Sequence, residues 1–139
     1  MTQREQLAVL LRSLDEALAD LEQYAREVPL ERLMTDRHAF RMVSNALYVA
    51  AQSAIDIAEV LLANRKLGPA SSYREAFVLL ARSGVLPAPL AHELEGWAGL
   101  RNVLAHIYTQ LDLERLHRAY TAELGALREL RKLATQATG

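Results

Sequence analysis

The sequence predicts an all-α protein, and three observations lead to that fold class. Apolar residues recur at spacings of three and four along most of the chain, and no segment alternates polar and apolar residues over the length of a strand. Only six Gly and four Pro interrupt the 139 residues. With 51% hydrophobic and 24% charged residues, a chain of this length suits one domain with a sizeable core. We therefore expect a single domain over residues 1–139, a bundle of four main helices plus a short one.

The first two helices are predicted to form a long antiparallel hairpin. The first spans residues 4–28, and its apolar positions are Leu7, Leu11, Leu14, Leu18, Leu21, Ala25 and Val28. Pro29 should end it, because a proline disfavours helical geometry in the residue before it. Thr35 or Asp36 can cap the second helix, and Gly68-Pro69 should stop it. Its apolar positions are Phe40, Val43, Leu47, Ala50, Ala54, Ile57 and Leu61.

Three further helices complete the predicted bundle. Ser72 and Glu75 have the spacing of a capping box, so a short third helix should start there and run to Gly84. The fourth helix begins near Pro89, and its apolar stripe contains Leu90, Leu94, Trp97, Leu104 and Tyr108. Asp112 can cap the fifth helix. The inward positions of the fifth helix are Leu113, Leu116, Tyr120, Leu124 and Leu127.

Composition narrows the function classes. The chain has no Cys, which excludes disulfides, thiolate metal sites and a cysteine nucleophile. Its net charge is −1, so any site for an anion must be local. The segment Met1–Glu5 lacks an apolar signal core, and the longest apolar run, Ala46–Ala51, is far shorter than the roughly 18 residues of a membrane span. We expect a cytoplasmic protein without a membrane partner.

The histidines form no metal-binding motif. His38, His92, His106 and His117 lie in no His-Glu-x-x-His pattern, and the chain has no phosphate-cradling Gly-rich loop. Neither a metal nor a cofactor is therefore expected. His92 and His117 are expected on solvated helix faces. His38, beside Arg37, is a candidate phosphate contact or an ordinary solvated helix start.

Arg101 is the residue that most needs an explanation. It lies in the apolar stripe of the fourth helix, where an unpaired charge is costly to bury. One interpretation is a structural arginine paired with Asp56 of the second helix. Gly96 and Gly99, on either side of Trp97, weaken a helix interior and indicate a close helix approach there.

The spacing of Arg101 and His106 adds a geometric constraint. On a regular helix the two residues lie about 140° apart, so one straight helix does not aim both at one point. Either the helix ends or distorts near Ala105, or the reactive centre combines residues of two subunits.

The segment Arg101-Asn102-x-x-x-His106-x-Tyr108 resembles the Arg-x4-His-x-Tyr signature of HepT-like toxins in the HEPN superfamily. The similarity extends upstream, to Ala54–Ala58 in the second helix, to Gly68-Pro69 followed by Ser72–Glu75, and to Gly99-Leu100 before the motif. The resemblance implies a homodimer of HEPN-like bundles in which two motifs face each other across a cleft. It also implies a metal-independent ribonuclease that acts as the toxin of a toxin–antitoxin pair.

The family pattern gives each motif residue an expected role. Arg101 and His106 would be catalytic and Asn102 would assist, with RNA cleaved to a 2′,3′-cyclic phosphate. Tyr108 matches the tyrosine that a minimal nucleotidyltransferase antitoxin, of the MntA type, modifies with AMP. Added phosphate charge and bulk at the cleft would then block RNA.

RNA binding by a chain of nearly neutral charge requires a local cationic cleft. Arg37, Arg41 and Arg74 are the candidate contacts, together with two copies of Arg101 in a dimer. Two other hypotheses stay open. One is a non-catalytic HEPN module that binds nucleotide or RNA, or scaffolds a nucleotidyltransferase, and the other is a plain helical dimerisation domain.

Overall fold

A computed structural model describes residues 1–106 and 111–137, and within these ranges the chain forms seven α-helices and no β-strand. The all-α prediction is confirmed. The helices are α1 (Gln3–Glu27), α2 (Leu30–Thr35), α3 (Arg37–Asn64), α4 (Tyr73–Arg82), α5 (Ala88–Leu104), α6 (Leu113–Ala122) and α7 (Leu124–Ala137).

Helix α3 is the centre of the bundle. It packs against α1 over its length and also contacts α4, α5, α6 and α7. The hydroxyls of Ser13 on α1 and Ser53 on α3 lie 3.0 Å apart, and Gln3 of α1 shares a surface groove with Ala63 of α3. The two helices therefore run antiparallel, as predicted. Although α3 has the length and composition of a membrane span, 61% of its most apolar stretch is buried inside the bundle, as expected for a core helix.

Three of the predicted helix starts are confirmed by their caps. The carboxylate of Asp36 accepts hydrogen bonds from the backbone N–H groups of His38 and Ala39, so Asp36 rather than Thr35 caps α3. Ser72 caps α4 and Asp112 caps α6 through their side-chain oxygens. These caps fix where α3, α4 and α6 begin.

Helix α3 ends earlier than the Gly68-Pro69 signal predicts. It stops at Asn64, and the following turn contains Lys66 at φ 55° and Gly68 at φ 78°. Both residues occupy the left-handed region that glycine tolerates best. The segment between α3 and α4 therefore turns sharply before Ser72.

The prediction of four main helices and one short helix is wrong in two places. The connection after Pro29 forms a further helix, α2, because Leu33 there is buried in the core. The predicted fifth helix is divided into α6 and α7 at Glu123. The indole N–H of Trp97 donates to the backbone carbonyl of Glu123 at 3.3 Å, and Arg115 lies 3.1 Å from the Glu123 carboxylate. These tertiary contacts hold Glu123 where the two helices meet.

The C-terminal helices are joined to α1 by polar contacts. Arg131 of α7 donates two hydrogen bonds to Asp15, at 2.6 and 2.9 Å, and Arg128 contacts Glu22 at 3.0 Å. On α6 the hydroxyl of Tyr120 donates to the carbonyl of Val28 at 2.6 Å, and burial raises the pKa of Tyr120 to about 12. This face of the bundle pairs its arginines with carboxylates.

Candidate functional site

Helix α5 ends two residues before His106. Leu104 is its last residue, the backbone N–H of Ala105 donates to the carbonyl of Arg101, and that of His106 donates to Val103 at 3.2 Å. Of the two alternatives that the spacing left open, the helix end near Ala105 is therefore observed. The side chain of His106 is exposed. Tyr108 lies outside the described residues.

The guanidinium of Arg101 is held by a glutamine. Its Nε donates to Oε1 of Gln52 at 2.7 Å, and Nε2 of Gln52 donates to Oδ1 of Asp56 at 2.9 Å. The sequence-based interpretation paired Arg101 directly with Asp56. That pairing is wrong, because Gln52 lies one turn before Asp56 on α3 and takes the contact. The Asp56 carboxylate is joined to Arg101 by hydrogen bonds through Gln52.

Two tyrosines complete the surroundings of this arginine. The Arg101 guanidinium carbon lies 4.9 Å from the ring centroid of Tyr73 on α4 and 5.6 Å from that of Tyr48 on α3. Both distances are within the range of cation–π attraction. Sequence reasoning missed Tyr48, Tyr73 and Gln52. The signal for two of them was the spacing of Tyr48, Gln52 and Asp56, which puts three polar groups on one face of an otherwise apolar helix.

Asn102 extends the cluster toward solvent. Its Oδ1 accepts from Nη1 of Arg101 at 3.3 Å, and its side chain is exposed. Arg101 and Asn102, two of the three residues predicted to be catalytic, are thus in direct contact. The third, His106, lies two residues beyond the end of α5. With Nε on Gln52 and Nη1 on Asn102, the guanidinium has a fixed orientation, and residues 1–106 and 111–137 leave it N–H groups for a ligand.

Two grooves flank this cluster along α3. The first, which we call the α3–α5 groove, has a volume of about 690 Å³ and is lined by Arg37, Phe40, Arg41, Ser44, Asn45, Tyr48, Leu104 and Ala105. The second, the α3–α4 groove, has a volume of about 960 Å³. It is lined by Glu59, Leu62, Ala63, Lys66, Gly68, Pro69, Ala70, Ser71, Ser72, Tyr73, Ala76 and Asn102.

The two grooves differ in charge. The α3–α5 groove carries Arg37 and Arg41, which have no ion-pair partner among residues 1–106 and 111–137. The α3–α4 groove carries Glu59 and Lys66. Burial, and to a lesser degree the neighbouring Asp56, raise the pKa of Glu59. The positive potential is therefore concentrated at the α3–α5 groove.

Matches to known proteins agree with this architecture. The pattern of the family described as ribonuclease HepT-like matches residues 14–134, which is most of the chain. The chain belongs to the HepT-like ribonuclease family. The sequence-based resemblance is thereby confirmed at the level of the family.

Curated HepT proteins match parts of this HepT-like chain. An mRNA nuclease HepT from Shewanella oneidensis is 36% identical over 63 residues, which cover 45% of this chain and 47% of that protein. A tRNA nuclease HepT from Aphanizomenon flos-aquae is 31% identical over 112 residues, 81% of this chain and 65% of that protein. The chain thus spans about half to two thirds of the length of these relatives.

A solved structure shares the fold over nearly the whole HepT-like chain. It is a tri-AMPylated Shewanella oneidensis HEPN toxin in complex with an MNT antitoxin. It superimposes with a TM-score of 0.84 at 22% identity, covering 94% of this chain and 96% of that one. The predicted HEPN-like bundle is confirmed.

The remaining candidate residues of this HepT-like chain lie at different places. Arg37 and Arg41 share their groove with Ala105, the residue before His106. Arg74 lies in another groove, where a Cβ added at Gly99 would overlap its guanidinium. The close approach predicted at Gly99 is therefore made by an arginine side chain rather than by a second helix backbone.

The other histidines line neither of the two grooves beside Arg101. His92 has 90% of its side chain exposed, as predicted. His117 is half-buried and packs edge-on against Tyr120, with the two ring centroids 5.3 Å apart. The expectation of a solvated surface position is therefore only partly met. His38 is exposed in the first turn of α3.

Proposed function

We propose that this chain is the RNA-cleaving toxin of a toxin–antitoxin pair, and that Arg101, Asn102 and His106 form its cleavage site. The observation that carries the proposal is the end of α5. There an oriented arginine, an amide in contact with it and an exposed histidine occur within six residues, beside a cationic groove. Membership in the HepT-like ribonuclease family supports the same activity.

The proposed chemistry is transfer of a phosphodiester within RNA. The 2′-oxygen attacks the adjacent phosphorus, the bond to the 5′-oxygen of the next nucleotide breaks, and a 2′,3′-cyclic phosphate forms. His106 moves protons between these oxygens, because imidazole titrates near neutral pH. Arg101 stabilises the charge on the phosphoryl oxygens, and Asn102 orients the phosphate or His106. In this mechanism the chain's own side chains supply every group, without a metal ion.

Gln52 is proposed as a positioning residue for this reaction. Its carbonyl oxygen fixes Nε of Arg101, and its amide is fixed in turn by Asp56. Tyr48 and Tyr73 hold the guanidinium by cation–π contacts. A guanidinium fixed before RNA binds loses less entropy when it meets the phosphate.

The proposed assembly is a homodimer in which two motifs face one cleft, regulated by a minimal nucleotidyltransferase antitoxin of the MntA type in the cytoplasm. In that regulation Tyr108 receives AMP, with release of pyrophosphate from ATP. The added phosphate charge would repel RNA from Arg101 and His106. The related HEPN toxin that is tri-AMPylated and bound to an MNT antitoxin supports this part of the proposal.

The experiment compares wild-type protein with His106→Ala in cleavage of total cellular RNA and purified tRNA, in excess EDTA. We expect cleavage by the wild type and a loss of about 100-fold or more in the variant, since general acid–base groups contribute rates of that order. His92→Ala is the matched control, because His92 is exposed and distant from the motif in sequence. It should cleave like the wild type.

Mass spectrometry of the purified protein must first show that Tyr108 carries no AMP. If unmodified wild type and His106→Ala then leave RNA equally intact, the proposed activity is refuted. The non-catalytic HEPN module that binds nucleotide or RNA, or scaffolds a nucleotidyltransferase, would become the better description. Equal cleavage by both proteins would refute the role of His106.

A further inference from the structure

The α3–α5 groove contains a run of polar and aromatic side chains, of which only Tyr48 has so far been given a part in the proposed cleavage. Arg37, Arg41, Ser44, Asn45 and Tyr48 follow one another along α3 at intervals of one, three or four residues, and all line the groove. This periodicity keeps them on one side of the helix. The groove is therefore a continuous surface that leads from the start of α3 to Tyr48, over which Arg101 lies.

The size and lining of the groove match one unpaired nucleotide. Its volume of about 690 Å³ is within the range of sites for small organic ligands. The half-buried Phe40 and Tyr48 offer ring surface to a base, and Arg37 and Arg41 offer charge to a phosphate. Bases of single-stranded RNA are recognised by this combination of stacking and cationic contacts.

Ser44 gives independent support. Its hydroxyl oxygen is buried, and no hydrogen-bond partner for it occurs among residues 1–106 and 111–137. An unpaired buried hydroxyl is unfavourable, and because Ser44 lines the groove, a change of its χ1 rotamer would turn the hydroxyl toward a ligand there and pair it. Asn45, the next residue, is exposed and brings an amide that both donates and accepts. A base edge presents donors and acceptors of this kind.

We propose that the α3–α5 groove binds one unpaired nucleotide of the RNA next to the cleaved phosphate, and that Ser44 and Asn45 select its base. This inference rests on the proposed ribonuclease function. It goes further by assigning base preference to two side chains that do not act on the reacting atoms. The groove reaches Ala105 and Tyr48, so the bound nucleotide lies beside both His106 and Arg101.

The test separates binding from cleavage. In the His106→Ala background, short single-stranded oligomers of adenylate, cytidylate and uridylate are titrated by fluorescence anisotropy at constant salt. The His106→Ala protein, which is the parent of the further variants, should bind one of the three oligomers more tightly than the other two. Ser44→Ala and Asn45→Ala should each weaken binding of the preferred oligomer by about fivefold, the effect of one hydrogen bond, and change the other two less than about twofold.

Two controls accompany these variants. Ser83→Ala removes a serine hydroxyl at the end of α4, outside both grooves, and should leave all three affinities unchanged. Thermal unfolding shows whether each variant is folded. Ser44→Ala should be at least as stable as the parent, because it removes an unpaired buried hydroxyl.

The outcomes distinguish the inference from the function on which it rests. If wild type cleaves RNA and the parent binds it, but base preference is absent or unchanged in both variants, the inference is wrong and the ribonuclease stands. If Ser44→Ala and Asn45→Ala instead change only the oligomeric state, measured by light scattering, the groove is a contact between copies, and the inference is again overturned. If the wild type neither cleaves nor binds RNA, the proposed function itself fails.

Discussion

The two grooves beside Arg101 are formed on the same helix but offer different surroundings to a polyanion. The α3–α5 groove begins with Arg37 and Arg41, whereas the α3–α4 groove pairs one cation, Lys66, with Glu59, whose pKa is raised by burial and by Asp56. A phosphate backbone is attracted by the first groove and meets a carboxylate in the second. If RNA is the substrate, as we propose, this difference predicts that it reaches the proposed cleavage site along the α3–α5 groove.

A second contrast explains why Arg37 and Arg41 are available to bind a phosphate. On the other side of the bundle Arg131 and Arg128 of α7 contact Asp15 and Glu22 of α1. Those pairs fasten the C-terminal helix to α1, and their charges are compensated within the fold. Arg37 and Arg41 have no such partner in the described part of the chain. Near-neutral net charge therefore coexists with a local cationic surface.

The largest expected effect belongs to Arg101, which lies between the two grooves. Arg101→Lys keeps the charge but loses the planar group that contacts Gln52, Tyr48 and Tyr73 together. We expect kcat for RNA cleavage to fall by about 100-fold, the order found when one charge-stabilising donor is removed. Arg82→Lys, at an exposed arginine of α4, is the control. A kcat for Arg101→Lys within about threefold of wild type would contradict the role of the guanidinium.

The structure shows how far sequence reasoning could go for this residue. The 140° separation of Arg101 and His106 left two alternatives open, of which a helix end near Ala105 was one, and the caps Ser72 and Asp112 followed from residue type. The hydrogen-bond partner of Arg101 could not be predicted from the sequence. Pairing with the Asp56 carboxylate was one interpretation. The side chain that contacts Arg101 depends on the packing of α5 against α3, and Gln52, one turn before Asp56, makes the contact.

The break at Glu123 was unpredictable for a related reason. The segment from Tyr120 to Leu124 contains neither Pro nor Gly, and its apolar spacing continues through it. The contacts at this point come from Trp97 on α5 and from Arg115 on α6, residues separated from Glu123 in the chain. A local pattern carries no information about such contacts.

A comparison of salt dependence tests the two grooves directly. In the His106→Ala background, the double variant Arg37→Gln, Arg41→Gln should bind single-stranded RNA more weakly. The slope of log affinity against log salt should become shallower by about 1.4, or about 0.7 for each phosphate that an arginine no longer neutralises. Lys66→Gln removes the cation of the α3–α4 groove and should leave the slope nearly unchanged. If Lys66→Gln changed the slope as much as the double variant, RNA would follow the other groove.

A smaller effect is expected at Gln52, which joins Arg101 to the acidic half of α3. Gln52→Ala should lower kcat by about tenfold with little change in KM, because the arginine keeps its charge but loses its orientation. Gln52→Glu should recover part of the loss, since it retains an oxygen acceptor for Nε of Arg101. Gln23→Ala, on the surface of α1, should have no effect. If Gln52→Ala instead raised KM by about tenfold and left kcat unchanged, Gln52 would serve RNA binding rather than catalysis.

The smallest effect is expected for a change at Glu59, and it is a pH-dependent change in thermal stability. Its pKa is raised above the ordinary value of 4.5, so the folded protein holds a proton that the unfolded chain releases earlier as pH rises. Stability from this group is therefore complete below the unfolded pKa and is lost as pH rises through the folded pKa. Glu59→Gln should raise Tm slightly at neutral pH, and the gain should vanish when the pH is lowered below about 4.

The same variant tests the charge contrast between the grooves. Glu59→Gln should strengthen RNA binding slightly, since it removes a carboxylate from the α3–α4 groove, whereas Glu93→Gln on the exposed face of α5 should change neither Tm nor affinity. A gain in Tm that persists at low pH would show that Glu59 is not the titrating group. Unchanged RNA affinity together with the expected Tm profile would confine the role of Glu59 to stability, and RNA would then contact the α3–α5 groove alone.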